Sequence, residues 1–72
     1  MESISHGQAV AIVTTWKSVG KNIANLPRYE RTSEGIITLL PDYQRNQWHQ
    51  FGRAFQSYQE ALKAFGEILD SV

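Results

Sequence analysis

The stretch Trp48–Val72, WHQFGRAFQSYQEALKAFGEILDSV, decides how the fold is read. Trp48, Phe51, Phe55, Tyr58, Leu62, Phe65, Leu69 and Val72 recur in it at alternating steps of three and four. Residues so spaced share one face of a helix, so the pattern predicts an unbroken helical seam. Upstream, Pro41 suits a first helical position and Asp42 suits the positive end of a helix. The expected helix therefore runs over about 41–70 and is roughly 45 Å long at 1.5 Å per residue. Gly52 and Gly66 flank the seam on one side, and Ala54, Ala61 and Ile68 on the other. Small flanking residues let another helix approach.

The segment before Pro41 is harder to assign. Gly35-Ile36-Ile37-Thr38-Leu39-Leu40 is rich in β-branched residues and suits a strand, but a lone strand has nothing to pair with. A short helix over about 33–40, capped by Thr32 or Ser33, is the expectation. The N-terminal part predicts a helix over about 5–24. Ser5 and Gln8 have capping-box spacing, and Ile12, Trp16, Val19 and Ile23 follow at steps of four, three and four. Ala9 and Val13 widen that stripe. Asn25, Leu26 and Pro27 end it, and Gly20 inside it costs up to about 1 kcal/mol relative to alanine.

These elements add up to an all-α fold: a small helical bundle of two main antiparallel helices with a short connecting helix, in one domain over 1–72. Trp16 and Trp48 are expected to meet in its core. The first helix is too short to cover the whole seam, so a homodimer is the expected way to complete the core. The interface or core seam is Trp16, Trp48, Phe51, Phe55, Tyr58, Leu62, Phe65 and Leu69, with Tyr29 and Tyr43 as rim residues.

Composition narrows the function classes. The chain has 72 residues, and chains this short are marginally stable alone. It has no cysteine, which excludes disulfides and cysteine-based zinc sites. Formal net charge is zero, so no overall field draws it to nucleic acid or membrane. No apolar run has the length of a membrane span, and the first eight residues do not read as a signal peptide. A cytoplasmic protein with no cofactor and no metal is the expectation.

No motif marks an active site. There is no GxSxG elbow and no phosphate-binding GxxxxGK[ST] loop, and Ser5 reads as a cap. Glu30, Glu34 and Asp42 fit no calcium-loop spacing. The run Arg45 to His49 resembles the arginine-to-histidine run of some helical ribonuclease domains, whose histidine usually lies at least one residue further along. On a helix the two residues would still share a face, and the plainer reading is a polar pair beside Trp48. Lys17, Lys21, Arg28, Arg31, Arg45 and Arg53 can form a basic patch, with Tyr29 and Trp48 as stacking surfaces for nucleic acid. The expected function is non-enzymatic: a self-associating protein–protein interaction module, serving as regulator, inhibitor or accessory subunit through its long C-terminal helix. Its expected partners are a second copy and a larger protein. The alternative is a nucleic-acid-binding accessory protein.

Overall fold

The computed structural model describes residues 2–43 and 47–72. The chain is a mixed α/β sandwich, which overturns the all-α helical bundle. In order it forms β1 (Glu2–Ile4), α1 (His6–Ser18), a 3-10 turn (Ile23–Asn25), β2 (Arg28–Thr32), β3 (Gly35–Asp42), β4 (Gln47–Phe55) and α2 (Tyr58–Asp70). The sheet order is β1-β4-β3-β2. β3 pairs antiparallel with both β2 and β4, and β1 adds in parallel beside β4.

Two of the three expected helices are corrected. The segment 33–40 is not a helix but lies mostly in β3. Its strand character is realised because it has partners after all: Arg28–Thr32 on one side and Gln47–Phe55 on the other. The expected 41–70 helix is divided into β4 and α2. A step of four keeps two residues on one face of a strand as well as of a helix, so Phe51 and Phe55 fit both readings. The step of three from Trp48 to Phe51 separates them. In β4 it sends the two rings to opposite faces of the sheet.

The first helix keeps its predicted start and stops early. Ser5 Oγ accepts the Gln8 N–H at 3.3 Å, and Gln8 Oε1 accepts the Ser5 N–H at 2.9 Å. At the other end, the Gly20 N–H donates to Lys17 O and the Lys21 N–H to Trp16 O, at 3.2 and 3.1 Å. This is a Schellman stop, and it needs a left-handed residue, which Gly20 supplies at φ 74°. The glycine thus terminates the helix although the apolar spacing continues past it to Ile23.

A two-residue turn, Ser33-Glu34, joins β2 to β3. Thr32 Oγ1 holds it by donating to Gly35 O at 2.9 Å and accepting the Glu34 N–H at 3.2 Å. Gly35 has φ 132°, and a Cβ there would lie 2.5 Å from the Phe55 carbonyl oxygen. No side chain fits that approach without moving β4.

Both helices lie on one face of the sheet. Ala9, Val13 and Trp16 of α1 and Ala61, Phe65 and Ile68 of α2 pack with Ile4, Ile36, Leu40, Phe51 and Phe55. α2 is entered through Ser57, whose Oγ accepts the Glu60 N–H at 3.2 Å, while Glu60 Oε2 accepts the Gln56 N–H at 3.1 Å. The S-x-x-E spacing of Ser57 and Glu60 is a helix-start signal within the region read as one long helix. The expected meeting of Trp16 with Trp48 does not occur in this core: Trp16 is fully buried under the helices, and Trp48 is on the other face.

Candidate protein-binding site

The sheet face without helices carries its own apolar row. Register places Ile37, Leu39 and Pro41 there, beside Arg28 and Glu30 of β2 and Trp48 and Gln50 of β4. Among the described residues no helix covers this side, yet Leu39 is only 2% exposed. The Arg28 guanidinium lies over the Trp48 ring, 4.9 Å from its centre, and makes a 2.9 Å ion pair with Glu30. Arg28 belongs to β2 and Trp48 to β4, with β3 between them. The stacked pair therefore forms a strap across β3, above the Leu39–Pro41 row. Long side chains with apolar stems can cover a core in this way.

At the β3–β4 end, this face opens into a shallow cleft of about 340 Å³ lined by Asn25, Leu26, Pro41, Asp42, Tyr43 and Trp48. Tyr43 is exposed, and the Lys21 ammonium sits 4.6 Å from its ring centre. Two aromatic rings, each paired with a cation, thus border an apolar floor of Leu26 and Pro41. Asp42 and Tyr43 also border a second hollow of about 170 Å³ with Ala11, Ile12, Thr15 and Trp16. Trp, Tyr and Arg are the residue types enriched in protein-binding hot spots.

The predicted seam is distributed over both layers. Trp16, Phe51, Phe55 and Phe65 are buried in the core, and Leu69 packs against it. Tyr58 and Leu62 are exposed on α2, at 51% and 42%. Trp48 enters the cleft. The cleft residues missed in the sequence are Asn25, Leu26, Pro41 and Asp42. From sequence, Asn25 and Leu26 read as part of a helix stop and Pro41 and Asp42 as a helix start.

The basic residues do not converge on one patch. Lys17 Nζ donates to Leu69 O at 3.5 Å. Lys21 and Arg28 flank the cleft. Arg31 stands opposite Ile36 on the edge strand β2. Arg53 lies over Phe55, 5.1 Å from the ring centre, where β4 departs from regular pairing with β3. That is the opposite end of β3 from Lys21, and an eight-residue strand is roughly 25 Å long. Arg45 lies outside the described residues.

His49 is on β4, not on a helix, so its expected helical pairing with Arg45 is overturned on that side. Its side chain is 12% exposed, with Nε2 3.6 Å from Asp42 Oδ2 and Nδ1 4.0 Å from Glu2 Oε2. These distances are too long for hydrogen bonds. The row Glu2, His49, Asp42 crosses β1, β4 and β3. Glu30 faces away from Asp42 on the other side of the sheet, which separates the carboxylates weighed as a cation site. Among the described residues no group of three His, Asp or Glu can hold a metal ion, and no helix is long and apolar enough to cross a membrane.

No family model matches the chain, and no curated protein or solved structure matches it.

Proposed function

We propose that the chain is a non-enzymatic protein-interaction module, a small regulator, inhibitor or accessory subunit, that docks a larger protein at the Trp48–Tyr43 cleft. The supporting observation is the juxtaposition of Trp48, Tyr43, Pro41 and Leu26 with Lys21 and Arg28 at the rim. The docking role moves here from the C-terminal helix, because α2 turns Ala61, Phe65 and Ile68 inward. The occupant that fits is a loop or extended segment with one apolar side chain for the cleft and carboxylates for the two cations. Rim charges of this kind steer a partner and set its orientation more than they add affinity. A cytoplasmic location belongs to the same proposal and rests on the cysteine-free composition.

The test is affinity capture from extract of the native host, comparing the wild-type chain with Trp48→Ala and Lys21→Glu, and with Val72→Ala as control. A protein held by wild type and Val72→Ala but lost with Trp48→Ala supports the reading. Equal recovery with all four chains refutes it.

Nucleic-acid binding has the support of the Arg28–Trp48 stack alone, since the other cations are dispersed. Retention on single-stranded oligonucleotides at low salt with a steep salt dependence would put that reading first. The ribonuclease reading is tested by RNA decay in excess protein, which His49→Ala would have to abolish.

A further inference from the structure

β2 is a sheet edge, bonded to β3 on one side and, among the described residues, to no strand on the other. It is regular along its length: Arg28 to Thr32 pair with Leu39 to Gly35 without a register shift. Sheet edges are commonly protected by proline, lysine or a bulge. Arg28–Thr32 has none of these. It has charges instead, and their order makes one pairing favourable.

Two copies of β2 can meet about a two-fold axis normal to the sheet. Such an axis sets one residue opposite its own copy and keeps each face of the joined sheet continuous. Centred on Glu30, it opposes two carboxylates. Centred on Arg31 or on Arg28, it opposes two guanidinium groups. Centred on Tyr29, it sets Arg28 opposite the partner's Glu30 and Glu30 opposite the partner's Arg28, with no like charges facing. Opposite-charge cross-strand pairs stabilise a sheet, and like pairs oppose it. The existing 2.9 Å Arg28–Glu30 pair would then become a network of four charges on the open face.

The helix face supports the same centre. The Tyr29 ring meets the Tyr58 ring of α2 edge to face at 4.9 Å, so Tyr58 leans toward β2. Leu62 follows one turn later on the same side of α2. Both are among the exposed large apolar residues of the chain. An axis at Tyr29 brings the two copies of this surface toward each other.

We infer that the chain self-associates by antiparallel pairing of β2 with the β2 of a second copy, in the register centred on Tyr29. The two four-stranded sheets become one continuous sheet. This surface meets the Trp48–Tyr43 cleft at Arg28; Leu62→Glu, on α2, and Trp48→Ala, in the cleft, let either proposal fail without the other.

The test is mass in solution by light scattering over a hundredfold concentration range, with charge reversals read in trans. The wild-type chain is expected to reach dimer mass. Arg28→Glu and Glu30→Arg each place like charges opposite one another and are expected to stay monomeric where wild type is dimeric. An equimolar mixture of the two variants faces Glu with Glu nowhere and Arg with Arg nowhere, and is expected to recover dimer mass. Recovery in the mixture cannot come from the pair within one chain, which both variants have lost. If circular dichroism shows Arg28→Glu to be unfolded, Leu62→Glu replaces it: carboxylates beside the axis are expected to hold a folded chain as monomer. A wild-type monomer over the whole range overturns the inference. So does a wild-type dimer that Glu30→Arg and Leu62→Glu leave intact, or a mixture of folded reversals that stays monomeric.

Discussion

The two faces of β3 bury neighbouring leucines by different means. Leu40 is 0% exposed beneath α1 and α2, and Leu39 is 2% exposed on the face that has no helix. The first is held by a packed layer of two helices. On the second face, Arg28 and Trp48 stack across β3 from the flanking strands. Near-equal burial therefore conceals unequal rigidity. A helix layer cannot follow a shrinking side chain, whereas a stacked guanidinium and indole can settle by rotating their bonds. The cost of a cavity depends on how far its surroundings collapse.

The largest expected effect follows from that contrast. Leu40→Ala should cost about 2–5 kcal/mol, the range for a buried leucine whose site relaxes little. Leu39→Ala should cost about 1–2 kcal/mol because the strap closes over the smaller side chain. Urea denaturation of both variants measures the difference. Equal losses would mean that the strap is as rigid as the helix layer, and the contrast would fail.

On the helix side, Thr38 is fully buried and its Oγ1 has no hydrogen-bond partner among the described residues. Thr38→Val removes an unsatisfied hydroxyl without changing the shape and should raise stability by about 1 kcal/mol. A loss on the same denaturation curve would mean that the hydroxyl is bonded in solution, and that this face is wetter than its burial implies.

Tyr29, also on the helix side, links the faces to pH. Burial, with a smaller contribution from Tyr58, pushes its phenol from 10.0 up to about 12. The unfolded chain gives up this proton first, so the native state is favoured in full below pH 10 and loses that advantage as pH rises toward 12. Tyr29→Phe should flatten the fall of thermal stability across that window while leaving neutral-pH stability nearly unchanged, since the hydroxyl has no partner among the described residues. An identical alkaline slope in both chains would remove the effect.

The smallest effect is spectroscopic. Trp16 lies under the helices, and Trp48 lies in the strap. Acrylamide should quench Trp48 in a Trp16→Phe chain more strongly than Trp16 in a Trp48→Phe chain. Arg28→Ala should increase the first and leave the second unchanged, at a stability cost of about 0.5–1 kcal/mol for the lost cation–ring contact.

The sequence showed the core residues more clearly than the elements that hold them. Phe51, Phe55 and Phe65 were read as one helical stripe and are core residues in a strand and a helix. Their spacings of four and ten are even, so a strand keeps the first pair together and α2 returns the third. Trp48 was the informative exception. Its step of three fits a heptad, and in β4 the same step puts the ring on the face opposite Phe51. The candidate site was less legible still. Tyr43 reads from sequence as an interface rim residue, whereas Lys21 and Arg28 read as members of a basic patch. Leu26 and Pro41 join them only because the turn after α1 lies beside the end of β3.

The sequence alone determined the local signals: the Ser5–Gln8 cap, the apolar residues of the core and the absence of cysteine. Such signals act over a few residues or depend on composition, so no partner is needed to read them. Only the tertiary structure decided that Gly35–Asp42 and Gln47–Phe55 are strands, that Gly20 is a stop and that Arg28 covers Leu39. The backbone groups of a strand are satisfied by another strand, and here the pairing runs as far as Glu2 beside His49. A spacing that suits both helix and strand is resolved only when those distant partners are in place.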